Sequence, residues 1–185
     1  MPVVTVTLLP GYGSACESRL VQRLGLAARS VIAAQAAGTT VYVQHAATYL
    51  RDNQVFTAGG PELPDASALV HRFLETMRER DLTKAREFLA PGFVMQFPGS
   101  QPMTELEHLM EWAKGRYQGV AKTYDRFEEC WGDGVTTVYC SGTLRGVWPD
   151  GSAFEGIRFI DRFEVEAGKL RRQDVWNDLA EVKPR

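Results

Sequence analysis

Phe159-Ile160-Asp161-Arg162-Phe163-Glu164-Val165-Glu166-Ala167-Gly168-Lys169-Leu170 decides the fold of this chain. It reads as the end of one β segment, a turn at Ala167-Gly168, and the start of another. Working backwards, two more turns and two more β segments of the same kind appear. The β segments are Lys122–Trp131, Val135–Trp148, Ser152–Glu166 and Lys169–Leu179. Their connections are Gly132-Asp133-Gly134, Pro149-Asp150-Gly151 and Ala167-Gly168. Connections this short predict an antiparallel meander. With Asp133-Gly134 as a two-residue turn, Cys130 falls opposite Thr137 and Cys140 opposite Phe127, so these two thiols are not placed to bridge.

Ahead of the meander the pattern turns helical. Leu69, Val70, Phe73, Leu74 and Met77 make one apolar face of a helix over Asp65–Arg80. Asp81 is placed to cap a shorter helix ending before Pro91-Gly92, and Phe93–Phe97 follows as a strand. Thr104 and Glu107 have capping-box spacing, ahead of a helix carrying Leu106, Leu109, Met110 and Ala113 and stopping at Gly119. Helices followed by a run of strands predict an α+β layer, a bent antiparallel sheet closed by helices.

The Gly59-Gly60-Pro61-Glu62-Leu63-Pro64 run reads as a linker, and composition changes across it. Residues 1–64 hold no Lys and no Trp, whereas all four Trp lie beyond. Before the linker, Pro2–Leu9 reads as a strand, Glu17–Ala36 as a helix, and Thr39–Gln44 as a second strand. One β-α-β unit of this size buries too little to stand alone, so it is expected to associate with copies of itself or with the second half. The expected domains are 1–62 and 66–182.

The charge excludes some classes. With 21 Lys+Arg against 23 Asp+Glu the net charge is −2, without the basic excess of a nucleic-acid binder. No apolar run reaches the ~18 residues of a bilayer span, and the start lacks a secretion-signal pattern, so a cytoplasmic protein with no membrane partner is expected. Three scattered histidines without C-x-x-C or H-x-x-x-H spacing predict no metal site, and nothing points to a cofactor.

Over nearly its whole length the first half resembles the 4-oxalocrotonate tautomerase family. The matching features are Pro2 after Met1, the strand Val4–Leu8, Gly11, the helix with Leu20 and Leu24, and Phe56-Thr57-Ala58-Gly59-Gly60. The resemblance implies a self-associating β-α-β protomer whose base is the amine of Pro2, freed by removal of Met1. A secondary amine with its pKa drawn towards neutral shuttles protons well. At the positions where such tautomerases carry substrate-binding arginines this chain has Tyr12 and Tyr42, which donate a hydrogen bond but bring no charge. Phe56 stands at the pocket aromatic. Either the substrate is neutral and aromatic, or this half is a scaffold for assembly.

Residues 66–180 resemble the SnoaL-like branch of the nuclear-transport-factor-2-like superfamily, on Phe73-Leu74, Phe88–Met95 and above all Phe159–Leu170. The resemblance implies a cone-shaped, cystatin-like α+β barrel around an apolar pocket, forming a homodimer or higher homo-oligomer. It also implies an isomerase, cyclase or hydrolase acting on an apolar carbonyl or cyclic compound, or else a non-catalytic ligand binder. Asp161 and Asp174 resemble the paired aspartates of limonene epoxide hydrolase, although the arginine between them would fall at Phe159. Two carboxylates in an apolar pocket divide into acid and base. A plainer reading pairs both with Arg162, Arg171 or Arg172 at the surface. Phe97, Trp112, Tyr124 and Trp176 are the expected lining of a cavity for a small apolar or aromatic molecule.

Overall fold

The computed structural model describes residues 1–182 and divides the chain into two units, one of Met1–Glu62 and one from Leu63 on. In the first unit β1 (Val3–Leu8) and β2 (Thr40–His45) pair in parallel, Val3 against Thr40 and Leu8 against His45. A parallel pair needs a crossover, and α1 (Ser14–Val31) supplies it. The helix starts before the expected Glu17 and stops five residues short of Ala36. Ile32 is already extended, its N–H closing the last turn on Ala28, and the chain then returns Thr40 to the Pro2 carbonyl. A hairpin of β3 (Tyr49–Arg51) and β4 (Gln54–Phe56) turns at Asp52-Asn53, both with positive φ. That is the backbone a two-residue type I′ turn requires. Of residues 1–62 only Gly25 is buried.

The second unit begins with α2 (Ala66–Arg78), capped by Asp65, whose carboxylate accepts the Ala68 N–H. Glu129 accepts from both the N–H and the hydroxyl of Ser67, so the first turn of α2 is tied to the sheet. The Asp81 carboxylate caps α3 (Leu82–Arg86) through Lys84 N–H, and α4 spans Leu106–Lys114. The strands are β5 (Leu89–Gln96), β6 (Gly119–Trp131), β7 (Val135–Val147), β8 (Ala153–Glu166) and β9 (Lys169–Asn177), and α5 (Leu179–Val182) follows them. They form one sheet in the order β5-β9-β8-β7-β6. Trp131 pairs Thr136 around Asp133-Gly134, and Cys130 and Cys140 face Thr137 and Phe127 as the turn requires.

Three expectations are corrected. β5 runs parallel to β9, so the sheet is not wholly antiparallel. A long connection through α4 separates β5 from the meander, so no hairpin forces its direction. β5 also starts before Phe93 and carries Pro91-Gly92 within it, at a shift in register between Leu89 and Val94 where Gly92 has φ +77°. Thr104 caps nothing. The residue preceding α4 is Glu105, without a side-chain cap, and the Glu107 carboxylate is held by Arg86 instead.

Along β8 the buried residues alternate: Ile157, Phe159, Asp161, Phe163 and Val165 face one way. Phe73, on the apolar face of α2, packs against this row at Phe163. It meets Phe93 and Phe163 edge-on, ring centres 6.5 and 6.0 Å apart. Register shifts in β6, β7 and β8 bend the sheet around this core. Gly142 is required at one such point, since a Cβ there would lie 2.0 Å from the Thr123 carbonyl oxygen. Phe163 is fully buried, so Phe163→Ala should destabilise the second unit by about 3–5 kcal/mol. Denaturant unfolding followed by tryptophan fluorescence would check this.

Candidate functional site

Asp161 lies on β8 between Cys140 of β7 and Val175 of β9, on the strand face that carries Phe159 and Phe163. Its side chain is fully buried. Strand alternation puts it there, and the same rule turns its neighbour Arg162 outwards. Lys122 of β6 donates from Nζ to Asp161 Oδ2, and its ammonium lies 4.5 Å from the centre of the Phe159 ring. To reach Asp161, Lys122 crosses the row formed by Tyr124, Gly142 and Phe159, in which Gly142 contributes no side chain.

Asp161 Oδ1 is buried and makes no hydrogen bond of good geometry, although the Gln173 amide lies close enough to favour the ionised carboxylate. Burial raises the Asp161 pKa above the usual carboxylate range. Lys122, and more weakly the Gln173 amide on β9, pull it back towards ionisation. Burial, then the Asp161 charge, pushes the Cys140 thiol up to about 12. The same two causes raise the Tyr124 phenol. Tyr124 is also the hub of an aromatic cluster, 5.4 Å from Phe127, 5.9 Å from Phe159 and 5.9 Å from the exposed His71 of α2. The arrangement is a carboxyl that resists ionisation, beside a cation, against aromatic faces.

The structure does not bring the two aspartates together. Asp174 pairs with Arg162 across β8 and β9, on the opposite face of the sheet from Asp161. Its carboxylate accepts from Arg162 Nη1 at 3.2 Å and from Arg172 Nε at 2.8 Å. The plainer surface reading therefore describes Asp174 and fails for Asp161. Trp176 shares the outward face and is 51% exposed. It lines, with Phe97, Asp174 and Arg172, an outer groove of about 610 Å³. Trp112 packs under Phe97, 5.4 Å between rings, and carries the Arg116 guanidinium 4.3 Å over its own ring. Of the expected lining residues only Tyr124 stands beside Asp161.

In the first unit, Pro2 lies at the start of β1, where its carbonyl accepts Thr40 N–H. Tyr12 lies beyond the other end of that strand, roughly 17 Å away for six extended residues. Its hydroxyl accepts the Gly60 N–H at 2.9 Å, and its ring lies where a Cβ on Gly59 would be. The Gly59 N–H binds the Pro10 carbonyl, which keeps the Phe56–Gly59 segment at the same far end. Phe56 stacks on Tyr49, and Tyr42 is exposed opposite Thr5. A single chain therefore does not gather Pro2, Tyr12 and Phe56 into one site.

The SnoaL-like domain family matches residues 70–173, more than half of the chain. The chain belongs to that family. Among solved structures, TerC co-crystallised with polyporic acid is similar with a TM-score of 0.54 and 15% identity, over 62% of this chain and 92% of that one. An NTF2-like protein of unknown function from Burkholderia pseudomallei gives 0.52 and 17%, over 62% and 91%. A putative polyketide cyclase from Xanthomonas campestris gives 0.50 and 16%, over 63% and 92%. At these identities the likeness is one of fold. No curated protein matches the chain. Among the described residues no group of His, Cys, Asp and Glu could hold a metal ion, and no helix is long and apolar enough to cross a membrane.

Sequence reasoning missed Lys122, Gln173 and His71. Lys122 carried one signal: it lies two residues before Tyr124 in a β segment and so shares its face. The raised Asp161 carboxyl has a consequence for stability. It binds its proton more tightly folded than unfolded, so its contribution is full below the unfolded pKa, near 4, and is lost as pH rises through the raised folded value. Asp161→Asn does not titrate. The stability of the natural chain relative to Asp161→Asn should therefore fall as pH rises above about 4. Denaturant midpoints of both chains at several pH values give this difference, and a flat difference would contradict it.

Proposed function

We propose that the SnoaL-like unit is a small-molecule acid–base enzyme, an isomerase, cyclase or hydrolase acting on an apolar carbonyl or cyclic compound. The observation that carries this reading is Asp161: a fully buried carboxyl with one oxygen on Lys122 and the other without a hydrogen bond of good geometry. A purely structural buried aspartate has its oxygens satisfied, because an unpaired one costs stability. A carboxyl with a raised pKa keeps its proton to a higher pH than a free one and so is suited to exchanging it with a substrate. Tyr124 supplies an aromatic wall, and Lys122 supplies the positive charge that the epoxide-hydrolase resemblance expected at Phe159.

A panel of enolisable ketones, enones and epoxides tests the reading. On any compound turned over, Asp161→Asn should lower kcat/KM at least about 100-fold. Asp174→Asn, on the outer face, should stay within a few-fold. If the proton-free carboxylate is the base, kcat/KM should rise with pH through a value above the usual carboxylate range. Equal turnover by Asp161→Asn and the natural chain would end the proposal.

A second reading concerns the first unit: an assembly scaffold for a ligand-binding second unit. It is favoured by the single buried residue among 62 and by the Tyr12 hydroxyl being spent on Gly60. It predicts a homodimer or a closed multiple of one. A light-scattering mass of one chain would remove it. Catalysis by Pro2 instead needs a free amine, so an intact mass retaining Met1 would confine chemistry to the second unit.

A further inference from the structure

In the first unit α1 and the chain entering β2 border a groove of about 440 Å³. Gly25 and Arg29 lie one turn apart on α1 and so share a face. Thr39, extended just before β2, and Val41 within it are two residues apart and share a side of that strand. All four line the groove, and Leu26 and Val41 make its walls apolar. Pro2, Tyr12, Tyr42 and Phe56 do not line it.

Two features of this groove serve no purpose in folding. The first is Arg29, which is half-buried and makes no hydrogen bond or ion pair among the described residues. The three acids of residues 1–62 are engaged elsewhere, Glu17 with His45, Asp52 with Arg51 and Glu62 with the Gly13 N–H. The second is Gly25, in the middle of α1. Glycine inside a helix is destabilising relative to alanine. Packing does not demand it: a Cβ there would meet Val41 Cγ2 at 3.7 Å and Arg29 Nη1 at 4.0 Å, both ordinary contact distances. A methyl group would instead fill the floor of the groove beneath the guanidinium. The helix gives up stability and keeps the space.

We infer that this groove binds a small monocarboxylate with an apolar tail, its carboxylate on the Arg29 guanidinium and its tail against Leu26 and Val41 over Gly25. A guanidinium offers a carboxylate two parallel N–H donors. Arg29 is the one charged residue lining the groove, which suits a single negative charge better than a phosphate dianion. The Gln22 amide and the Thr39 hydroxyl, which donates to the Gln35 carbonyl, add polar contacts at the rim.

The test is an NMR titration of the isotope-labelled full chain with three probes: hydrocinnamate, its uncharged amide, and propionate, which lacks the ring. Hydrocinnamate should shift the amides of Gln22, Gly25, Arg29 and Thr39, and should bind about 10-fold tighter than either other probe. Arg29→Gln should remove the advantage of the acid over its amide, and Arg29→Lys, which keeps the charge without the fork, should restore part of it. Gly25→Ala should weaken hydrocinnamate binding while slowing amide exchange along α1, opposite effects that a purely structural glycine would not give. Should a variant fail to fold, the three probes on the natural chain still decide. Equal affinity for acid and amide, shifts confined to the second unit, or unchanged binding by Gly25→Ala would overturn the inference. A fall in light-scattering mass on Arg29→Gln would assign the guanidinium to a second copy of the chain and overturn it equally. None of these outcomes bears on Asp161, so the acid–base reading stands or falls separately.

Discussion

Placing the Asp161 carboxyl at the centre of an apolar sheet face is the constraint on which the second unit depends. Desolvating an ionised carboxylate costs several kcal/mol, and one lysine returns only part of that cost. A fold organised only for stability would place another phenylalanine or valine in the alternation of β8. Instead the surroundings compromise. Lys122 reaches in from β6, and Gln173 adds a weaker favourable contact. The carboxyl still ends with an oxygen that makes no hydrogen bond of good geometry. Incomplete satisfaction of this kind makes the carboxyl sensitive to whatever enters beside it, because burial acts on its charge state in one direction and Lys122 and Gln173 in the other.

Much of the fold was legible because it follows from local rules. Turn residues at Asp133-Gly134 and Ala167-Gly168 fix hairpin registers, and a two-residue period then assigns each side chain a face. Asp65 and Asp81 act as helix caps because a short acceptor before a helix meets a free N–H. The failures came where a distant partner outbid a local one. Glu107 had the spacing to close a capping box on Thr104, but the Arg86 guanidinium from α3 takes its carboxylate. The parallel docking of β5 on β9 is likewise set by partners about 80 residues apart.

The site was half legible for the same reason. Parity along each strand could have separated Asp161 from Asp174 once the two strands were put in register. Arg162 faces Asp174, so Asp161 must face Val175 and the other side. Pairing them as acid and base required two residues on one face, which that register forbids. Trp176 followed Asp174 outwards by the same count. Lys122 lies two strands away from Asp161, and a bulge between Tyr124 and Arg126 breaks the count along β6, so no spacing rule joins the two. A long, flexible lysine makes contacts that no sequence pattern encodes.

The two units place opposite demands on their polar groups. In the second, a core of fully buried phenylalanines and leucines is stable enough to tolerate one badly solvated carboxyl. Such a core is what lets a site hold a group in an unfavourable state. In the first, almost nothing is buried, and polar side chains do the work that packing does elsewhere. The Tyr12 hydroxyl secures Gly60, Glu62 accepts the Gly13 N–H, and His45 binds Glu17 at 2.7 Å across the helix and strand. Side chains committed to holding the backbone are poor candidates for releasing it to bind a substrate. The proposed chemistry is accordingly assigned to the second unit, and Tyr12 in the first is better understood as a fastening than as a ligand.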